Sequence, residues 1–267
     1  MVNQNNQQII VKTGDENMFN ALILAGTKKK GPLEIAENVD NKALIMIDSK
    51  PMIEYIVDAL NNSENIDQIL VVGPKKELHP YIGKKVKEIL NPGNSILENM
   101  EIGLNYFNST DNLLLLTSDI PLITPEAIDE FLEICTKRKA YIGYPIITKE
   151  NIVKKYPETK RTYVKMKEGI FCGGNIVFFQ PEVFFQQKKL IKELFDNRKA
   201  TWKYAKILGL KFILKFLFKN LTLEEIEKKV TDIIGYNSIA AMISYPEIMI
   251  DLDKPSDLKL IRKCFER

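Results

Sequence analysis

The sequence predicts an α/β protein with three layers, in which helices cover both faces of a mostly parallel β-sheet. Short, continuous apolar runs such as "DQILVVG" and "NLLLLTSD" are typical of strands that are buried on both faces. Segments with apolar residues at helical spacing separate these runs. Because strand and helix alternate, we expect parallel strands joined by right-handed crossovers.

The elements follow one another in a regular order. "FNALILAG" predicts a first buried strand that ends at a glycine, and "KALIMID" predicts a second, short strand. "PMIEYIVDAL" predicts a helix, because its apolar residues recur at helical spacing behind a proline suited to a first turn. "DQILVVG" is the next strand, "SILENMEIGL" the next helix, and "NLLLLTSD" the strand after it. "TPEAIDEFLEICTKR" predicts a helix with Thr124 as its cap and Pro125 in its first turn.

Composition narrows the class of protein. The chain has 267 residues, of which 45% are apolar, and this is enough for one large domain. Its net charge of +3 is too small to indicate a nucleic-acid partner. The three cysteines lack metal-ligand spacing, which indicates a cytoplasmic protein without a zinc site or a disulfide framework. Residues 1–17 are polar and lack the apolar core of a secretory signal, so we expect a flexible arm before a domain over residues 18–267.

Candidate functional residues stand near the ends of predicted strands, where ligands bind in open α/β sheets. Asp119 ends the strand "NLLLLTSD", and the alternative to a functional carboxylate there is an ordinary turn aspartate. Gly26 ends the first strand, and its missing side chain would let backbone amides approach phosphate oxygens. Lys42 precedes the short second strand, from which its ammonium group could reach the same crevice and counter phosphate charge.

Three segments, in this order, resemble the MobA-like NTP transferases: "LILAG…NKALIMIDSKPMIEYIVDAL", "LLLLTSDIPLIT" and "IDLDKPSDL". The resemblance implies a nucleotide-diphospho-sugar transferase fold of the glycosyltransferase-A type. It also implies an Mg²⁺-dependent nucleotidyltransferase, in which an NMP passes from an NTP to a phosphorylated small molecule with release of pyrophosphate. The acceptor would be a sugar, polyol or cofactor phosphate.

The resemblance also implies roles for particular residues. Lys42, Asp119 and Asp253 would form the catalytic centre, and Asp119 and Asp253 would hold Mg²⁺, which needs only one or two carboxylates beside phosphates and waters. Asp251 is the alternative second ligand, and capping of the last helix is the alternative role of Asp253. The implied nucleotide-binding residues are Leu24, Ala25, Gly26, Thr27, Lys30, Lys42, Asn94, Ser95 and Asn99. The implied acceptor-binding residues are Gly173, Gly174 and Asn175.

Structural alternatives stay open for two of these segments. Ser95 is also a good helix cap, and an N-cap is compatible with amides that face a ligand. Gly173 and Gly174 also fit a turn that leads into a core strand.

The glycine loop departs from the family pattern. Thr27 follows Gly26 where the family usually has a second glycine, and lysines replace the usual arginine. One alternative function is therefore a binding or regulatory homologue with impaired catalysis. A second is a glycosyltransferase that uses a finished nucleotide sugar, because the general fold serves both reactions.

Residues 195–236 resemble the family least and predict a group of inserted helices near the C-terminus. Apolar residues and lysines are interspersed within residues 203–219 in an amphipathic pattern. This pattern predicts helices that pack on the sheet or on a second subunit of a homo-oligomer. The alternative is a peripheral surface that meets anionic lipid or covers a lipid-like acceptor.

Overall fold

The computed structural model describes residues 18–26, 30–108, 111–196 and 208–266, so the predicted arm over residues 1–17 lies outside them. The strands are β1 (Phe19–Leu24), β2 (Met46–Ile47), β3 (Lys50–Pro51), β4 (Ile66–Val72), β5 (Glu88–Leu90), β6 (Leu113–Thr117), β7 (Ile142–Thr148), β8 (Val164–Lys165), β9 (Ile170–Gly173), β10 (Ile176–Phe179) and β11 (Ser238–Met242). The helices are α1 (Pro32–Ala36), α2 (Met52–Asn61), α3 (Lys75–Ile82), α4 (Ile96–Leu104), α5 (Pro125–Lys137), α6 (Lys149–Lys155), α7 (Pro181–Asp196), α8 (Leu210–Leu217), α9 (Leu223–Ile234) and α10 (Pro255–Phe265).

One mixed sheet organises the fold. Within the described ranges it contains nine strands in the order β5, β4, β1, β6, β10, β7, β9, β8, with β11 on the other edge of β7. β5, β4, β1 and β6 pair in parallel, whereas β10 is antiparallel to both β6 and β7. β7, β11 and β8 therefore return to the direction of β1, and only β9 and β10 oppose it. The predicted mostly parallel α/β sheet is confirmed.

Alternating side chains along the central strands divide the core into two layers. Ala21 and Ile23 pack with helices α2, α3 and α5 on one face, whereas Leu22 between them packs with α4 and α7 on the other. Such alternation follows from the pleat of a strand, which points successive side chains to opposite faces. Because both faces are covered, these strands read as continuous apolar runs.

The predicted strand "KALIMID" is only partly a strand. Lys42–Leu44 form a 3₁₀ turn, and the short β2 that follows pairs with β3 outside the main sheet. The turn forms because the Asn41 side chain accepts a hydrogen bond from the Ala43 amide at 2.8 Å, which caps the 3₁₀ start.

A third apolar cluster holds the C-terminal segment against the sheet. Ile250 and Leu252 are fully buried in it, together with residues of β2, α1 and α10. The Leu252 amide donates a 2.9 Å hydrogen bond to the Asp119 carbonyl oxygen. This contact places the C-terminal acidic segment beside the carboxyl end of β6.

The described part of the predicted insertion contains the end of α7 and the helices α8 and α9, while residues 197–207 lie outside the described ranges. Phe212 of α8 packs beside Ile146 and Phe171 of the sheet. Leu217 and the following Phe218 are largely exposed, at 65% and 78%. Where the structure describes helices, each is too short or too polar to cross a bilayer.

Asp257 carries a prediction about the stability of the C-terminal segment. Its Oδ2 atom accepts hydrogen bonds from the Asp253 amide at 3.1 Å and the Lys254 amide at 2.9 Å, at the start of α10. We expect Asp257→Ala to lower the free energy of unfolding by about 1 kcal/mol, because both amides lose their charged acceptor. Urea denaturation measures this change.

The exposed Ser256, in the same helical turn, supplies the control. Ser256→Ala should change the free energy of unfolding by no more than about 0.5 kcal/mol. Equal effects of the two substitutions would contradict the capping role of Asp257.

Candidate active site

Lys42 lies in direct contact with both Asp119 and Asp253. Its Nζ atom donates to Asp119 Oδ2 at 2.8 Å and to Asp253 Oδ1 at 2.9 Å. The other Asp119 oxygen accepts a 2.6 Å hydrogen bond from the Thr117 hydroxyl. The lysine cation therefore bridges two carboxylates that come from opposite halves of the sequence.

The two C-terminal aspartates reach the same crevice because burial alternates along their segment. Ile250 and Leu252 are buried, whereas Asp251 and Asp253 are not. Alternate residues of an extended chain project to the same side, so both carboxylates face away from the apolar cluster. Asp253 is not the N-cap of α10, since Lys254 occupies that position.

The three carboxylates form a compact group. Asp119, Asp251 and Asp253 each offer one oxygen, and these oxygens lie within 4.8 Å of one another. Mg²⁺ binds oxygen ligands at about 2.1 Å, so two ligands of one ion lie roughly 3 to 4 Å apart. The donor set therefore fits Mg²⁺ after small side-chain adjustments, and the proximity expected of Asp119 and Asp253 is present.

Charge balance keeps the bridging contact ionised. Burial lowers the pKa of the Lys42 amine, but the charges and hydrogen bonds of Asp119 and Asp253 outweigh it and raise that pKa above its ordinary value. Burial raises the pKa of the Asp253 carboxyl, but the hydrogen bond and charge of Lys42 hold it below its ordinary value. Lys42 is therefore protonated and Asp253 is ionised at neutral pH.

Arg161 partners the third carboxylate. Its Nη1 atom contacts Asp251 Oδ1, and its Nη2 atom donates to the Asp251 carbonyl oxygen at 3.1 Å. The pKa of Asp251 is raised to about 6, chiefly by burial and also by the charges of Asp253 and Asp119, while the charge of Arg161 lowers it. Arg161 therefore offsets part of the repulsion among the three acids.

A buried asparagine connects the glycine loop to Lys42. The Asn41 Nδ2 atom donates to the Ala25 carbonyl oxygen at 2.7 Å, and its Oδ1 atom accepts from the Ala43 amide at 2.8 Å. Asn41 is only 3% exposed. It therefore fixes the end of β1 and the turn that carries Lys42 as one unit.

Gly26 packs closely against the second predicted nucleotide loop. A Cβ atom at Gly26 would lie 2.4 Å from Asn99 Nδ2 and 2.8 Å from Pro92 Cβ. A larger residue would therefore push the two loops apart. Leu24 ends β1 and Ala25 is buried just beyond it, whereas Thr27 lies outside the described residues.

The predicted nucleotide-binding residues Asn94, Ser95 and Asn99 form hydrogen bonds with neighbouring residues of the chain. The Ser95 hydroxyl caps α4 by accepting from the Glu98 amide at 3.1 Å, and the Asn94 amide donates to Glu98 Oε2 at 2.5 Å. Asn99 is buried, and its Oδ1 atom accepts from the Gly93 amide at 2.8 Å. The cap expected as an alternative for Ser95 is thus present. Lys30 forms an exposed 2.5 Å ion pair with Asp40.

The predicted acceptor segment forms a break between two strands. β9 pairs with the end of β7 and β10 pairs with its start, along the same edge, and Gly174 and Asn175 join them. The Asn175 carbonyl oxygen accepts a 3.4 Å hydrogen bond from the Thr117 amide, at the end of β6. The segment therefore lies beside the strand that leads to Asp119.

Both glycines of this segment have packing reasons. A Cβ atom at Gly173 would lie 2.4 Å from the Tyr144 hydroxyl oxygen, and one at Gly174 would lie 2.8 Å from side-chain atoms of Ile248 and Pro145. The turn expected as an alternative is not found at this segment, because β9 and β10 run in the same direction along one edge of β7. The core strand β10 does follow it, and the Tyr144 ring packs against Gly173.

Four residues beyond the predicted set shape the site: Asn41, Thr117, Arg161 and Asp257. Asn41 and Thr117 stand within two residues of predicted residues, so proximity in sequence is a usable signal for them. "TKRTY" around Arg161 carries no motif, because its role depends on a partner in a distant segment.

Asn41 carries a prediction about how firmly the loop is fixed. Asn41→Ala would remove two buried hydrogen bonds, one to the Ala25 carbonyl oxygen and one from the Ala43 amide. We expect the free energy of unfolding to fall by roughly 1 to 3 kcal/mol, measured by urea denaturation.

Asn62 offers a matched control, because its exposed amide donates to one backbone carbonyl at 2.8 Å. Asn62→Ala should cost no more than about 0.5 kcal/mol. A loss at Asn41 as small as that at Asn62 would show that the loop does not depend on Asn41.

The sequence matches the family model described as the MobA-like NTP transferase domain over residues 21–199. It is 26% identical to 2-C-methyl-D-erythritol 4-phosphate cytidylyltransferase of Clostridium acetobutylicum over 105 residues, which cover 36% of this chain and 46% of that protein. The chain thus spans about half the length of this curated relative.

Solved structures share the fold of this chain. A hypothetical transferase from Thermus thermophilus is 30% identical, with a TM-score of 0.79 over 90% of this chain and 99% of that one. A 4-diphosphocytidyl-2C-methyl-D-erythritol synthase from Anaerococcus prevotii, 12% identical with a TM-score of 0.56 over 94% and 99% of the two chains, shares the fold. A CMP:2-keto-3-deoxy-manno-octonic acid synthetase complexed with CTP, also 12% identical, has a TM-score of 0.58 over 94% and 98%. The family match covers more than half of the chain, and the chain therefore belongs to the MobA-like NTP transferase family.

Proposed function

We propose that the protein is an Mg²⁺-dependent nucleotidyltransferase that transfers an NMP from an NTP to a phosphorylated small molecule and releases pyrophosphate. The observation that carries this proposal is the contact of Lys42 with Asp119 and Asp253 at 2.8 and 2.9 Å. This contact shows that the two carboxylates already hold one cation, the Lys42 ammonium, and an ammonium group at this place is able to contact phosphate.

In the proposed reaction, an oxygen of the acceptor phosphate attacks the α-phosphorus of the NTP. A new phosphoanhydride bond forms, the bond from the α-phosphorus to the oxygen that bridges to the β-phosphorus breaks, and pyrophosphate leaves. Mg²⁺, when bound, would neutralise phosphate charge and orient the triphosphate for in-line displacement. Asp119 and Asp253 are the residues that would hold it, and Asp251 is the third oxygen donor within reach.

The chain's own residues would position the reactants. Lys42, which lies between Asp119 and Asp253, would donate to phosphate oxygens of the bound nucleotide. The loop at Gly26 would offer backbone amides to phosphates. Thr117 would hold Asp119 in one orientation through its 2.6 Å hydrogen bond.

We propose CTP as the first nucleotide to examine. The support is the names of relatives: a cytidylyltransferase matches part of this sequence, and a synthetase complexed with CTP shares the fold. A polyol or sugar phosphate acceptor has the same support, because the curated relative is named for 2-C-methyl-D-erythritol 4-phosphate.

Pyrophosphate release from CTP, GTP, UTP and ATP, each with a panel of phosphorylated acceptors, tests this function. The proposal expects Mg²⁺-dependent pyrophosphate with at least one pair. Release of UDP or GDP from a nucleotide sugar would instead indicate a glycosyltransferase. NTP binding without turnover of any pair would indicate an impaired homologue.

Asp119→Asn should lower kcat/KM by on the order of 100-fold or more, because the amide keeps the shape but loses the charge that would hold Mg²⁺. Initial rates of pyrophosphate release at saturating Mg²⁺ measure the change. Asp67→Asn is the control, since Asp67 is an exposed carboxylate near the amino end of β4, whereas the candidate site lies at the carboxyl ends of the parallel strands. Equal rates for Asp119→Asn and the unmodified protein would remove Asp119 from the metal site.

Lys42→Met should weaken NTP binding at least tenfold, since a charged hydrogen bond to phosphate contributes roughly 1.5 to 3 kcal/mol. The methionine retains most of the apolar stem, so the fold should persist. Isothermal titration calorimetry measures the affinity. Lys75→Met is the matched control, because Lys75 also pairs with a carboxylate, at 2.7 Å from Glu88, but on the surface. Parallel losses in both variants would argue against a specific role for Lys42.

A further inference from the structure

Two apolar cavities lie side by side on the face of the sheet that packs against α4, α7 and α9. The larger, about 420 Å³, is walled by β7, β9, β11 and α9. The smaller, about 250 Å³, is walled by β1, β6, β10, α4 and α7. Ile142 lines both, and the two together are called the apolar trough below.

The trough begins at the candidate active site. Thr117, which hydrogen-bonds Asp119 at 2.6 Å, lines the smaller cavity together with Asn175. Gly173 and Tyr144 line the larger cavity. The smaller cavity therefore adjoins the acidic cluster through Thr117, and the larger cavity adjoins the Gly173 end of the predicted acceptor segment.

The walls of the larger cavity present apolar surface to a ligand. Glu227 is engaged by Arg138 in a two-pronged ion pair at 2.7 and 2.8 Å, and the Ser238 hydroxyl donates to a backbone carbonyl at 2.9 Å. The remaining wall consists mainly of aliphatic and aromatic side chains such as Ile146, Met166 and Phe171. A nucleotide base or a sugar would lose hydrogen bonds with water there, so neither suits this space.

Size and access also fit a ligand. An apolar cavity of about 150 Å³ is large enough for a benzene ring, and small-molecule sites begin near 300 Å³. The rim carries Tyr144 and Val164, which are 42% and 38% exposed despite their apolar surfaces. The larger cavity is therefore open to solvent at a point beside Gly173.

We infer that the trough binds an apolar tail of the acceptor while the acceptor phosphate lies at the acidic cluster and Lys42. The acceptor class is a phosphate ester of an alcohol with an alkyl or isoprenoid chain. This inference rests on the proposed function for the position of the phosphate. It follows from the continuity of the trough with Thr117 and Gly173, and from walls that match hydrocarbon and not a polar group.

A chain-length series with the full-length, unmodified protein tests the inference first. Ethyl, butyl and octyl phosphate are titrated by calorimetry below their micelle concentrations, with Mg²⁺ present. We expect octyl phosphate to bind at least tenfold more tightly than butyl phosphate, because added methylenes leave water. Affinities that do not change with chain length, or equal binding of 1-octanol and octyl phosphate, would overturn the inference.

A filled cavity tests the location. Ala240 lines the larger cavity, so Ala240→Phe should weaken octyl phosphate binding at least tenfold while CTP affinity stays unchanged. Met242 lies on the same strand, is 49% exposed and is not among the lining residues, so Met242→Phe is the matched control. Unaltered octyl phosphate affinity in a folded Ala240→Phe protein would place the tail elsewhere. If that variant fails to fold, the chain-length series decides.

Turnover separates this inference from the proposed function. With CTP, an oxygen of octyl phosphate would bond to the α-phosphorus, giving CDP-linked octanol and pyrophosphate. Chain-dependent binding without pyrophosphate from any acceptor would reject the proposed function and keep the trough as a site for amphiphilic phosphates. Pyrophosphate release that is equally fast with ethyl and octyl phosphate, together with affinities independent of chain length, would keep the function and reject the trough.

Discussion

Repulsion among three carboxylates is the constraint on which this site depends. Asp119, Asp251 and Asp253 place oxygens within 4.8 Å of one another. Like charges at such distances raise one another's free energy unless cations lie among them. Lys42 and Arg161 supply two positive charges for three negative ones, so one negative charge remains in excess. A bound divalent cation would balance this excess negative charge.

The fold brings these charges together from four separate segments. The carboxyl end of β6 supplies Asp119, a 3₁₀ turn supplies Lys42, the loop after α6 supplies Arg161, and the C-terminal segment supplies the other two acids. The Leu252 amide, bonded to the Asp119 carbonyl, and Asn41, bonded to Ala25, fix two of these junctions through buried backbone groups. Such contacts fix the backbone from which the charged side chains project, which suits a site that must hold its groups before a ligand arrives.

Sequence reasoning reached the architecture because buried parallel strands have a direct signature. The runs before Gly26 and Asp119 are largely apolar, with Asn20 in the first and Thr117 at the end of the second, and both proved to be central strands covered on two faces. The strand predicted after Lys42 became mostly a turn, because the Asn41 side chain competes for the backbone there. The spacing of apolar residues does not predict such a side-chain cap.

Part of the candidate site could also be predicted, because some of its residues lie next to predicted strands. Asp119 follows the end of β6, so the rule that ligands gather at the carboxyl ends of strands pointed to it. Lys42 stands directly before the second predicted strand, and its charge suggested a partner for phosphate in the same crevice. Arg161 belongs to a segment without regular pattern, and its partner Asp251 lies in another segment far along the chain. The apolar trough likewise depends on how α9 and β11 pack against β7, and tertiary packing of this kind is absent from local patterns. Arg161 was missed because its partner is distant in sequence, whereas Thr117 and Asp257 bond to groups within four residues and lie close to predicted residues.

A crystal structure of the protein with Mn²⁺ and CTP, in which anomalous scattering locates the metal, tests whether Asp119 and Asp253 hold a metal ion. The proposed metal site predicts a peak at metal–oxygen bonding distance, roughly 2.1 Å for a magnesium-like ion, from one oxygen of Asp119 and one of Asp253. It also predicts that Lys42 Nζ has moved from between the carboxylates to the phosphates. A metal bound to the nucleotide but distant from both carboxylates, with Lys42 still bridging them, would contradict it.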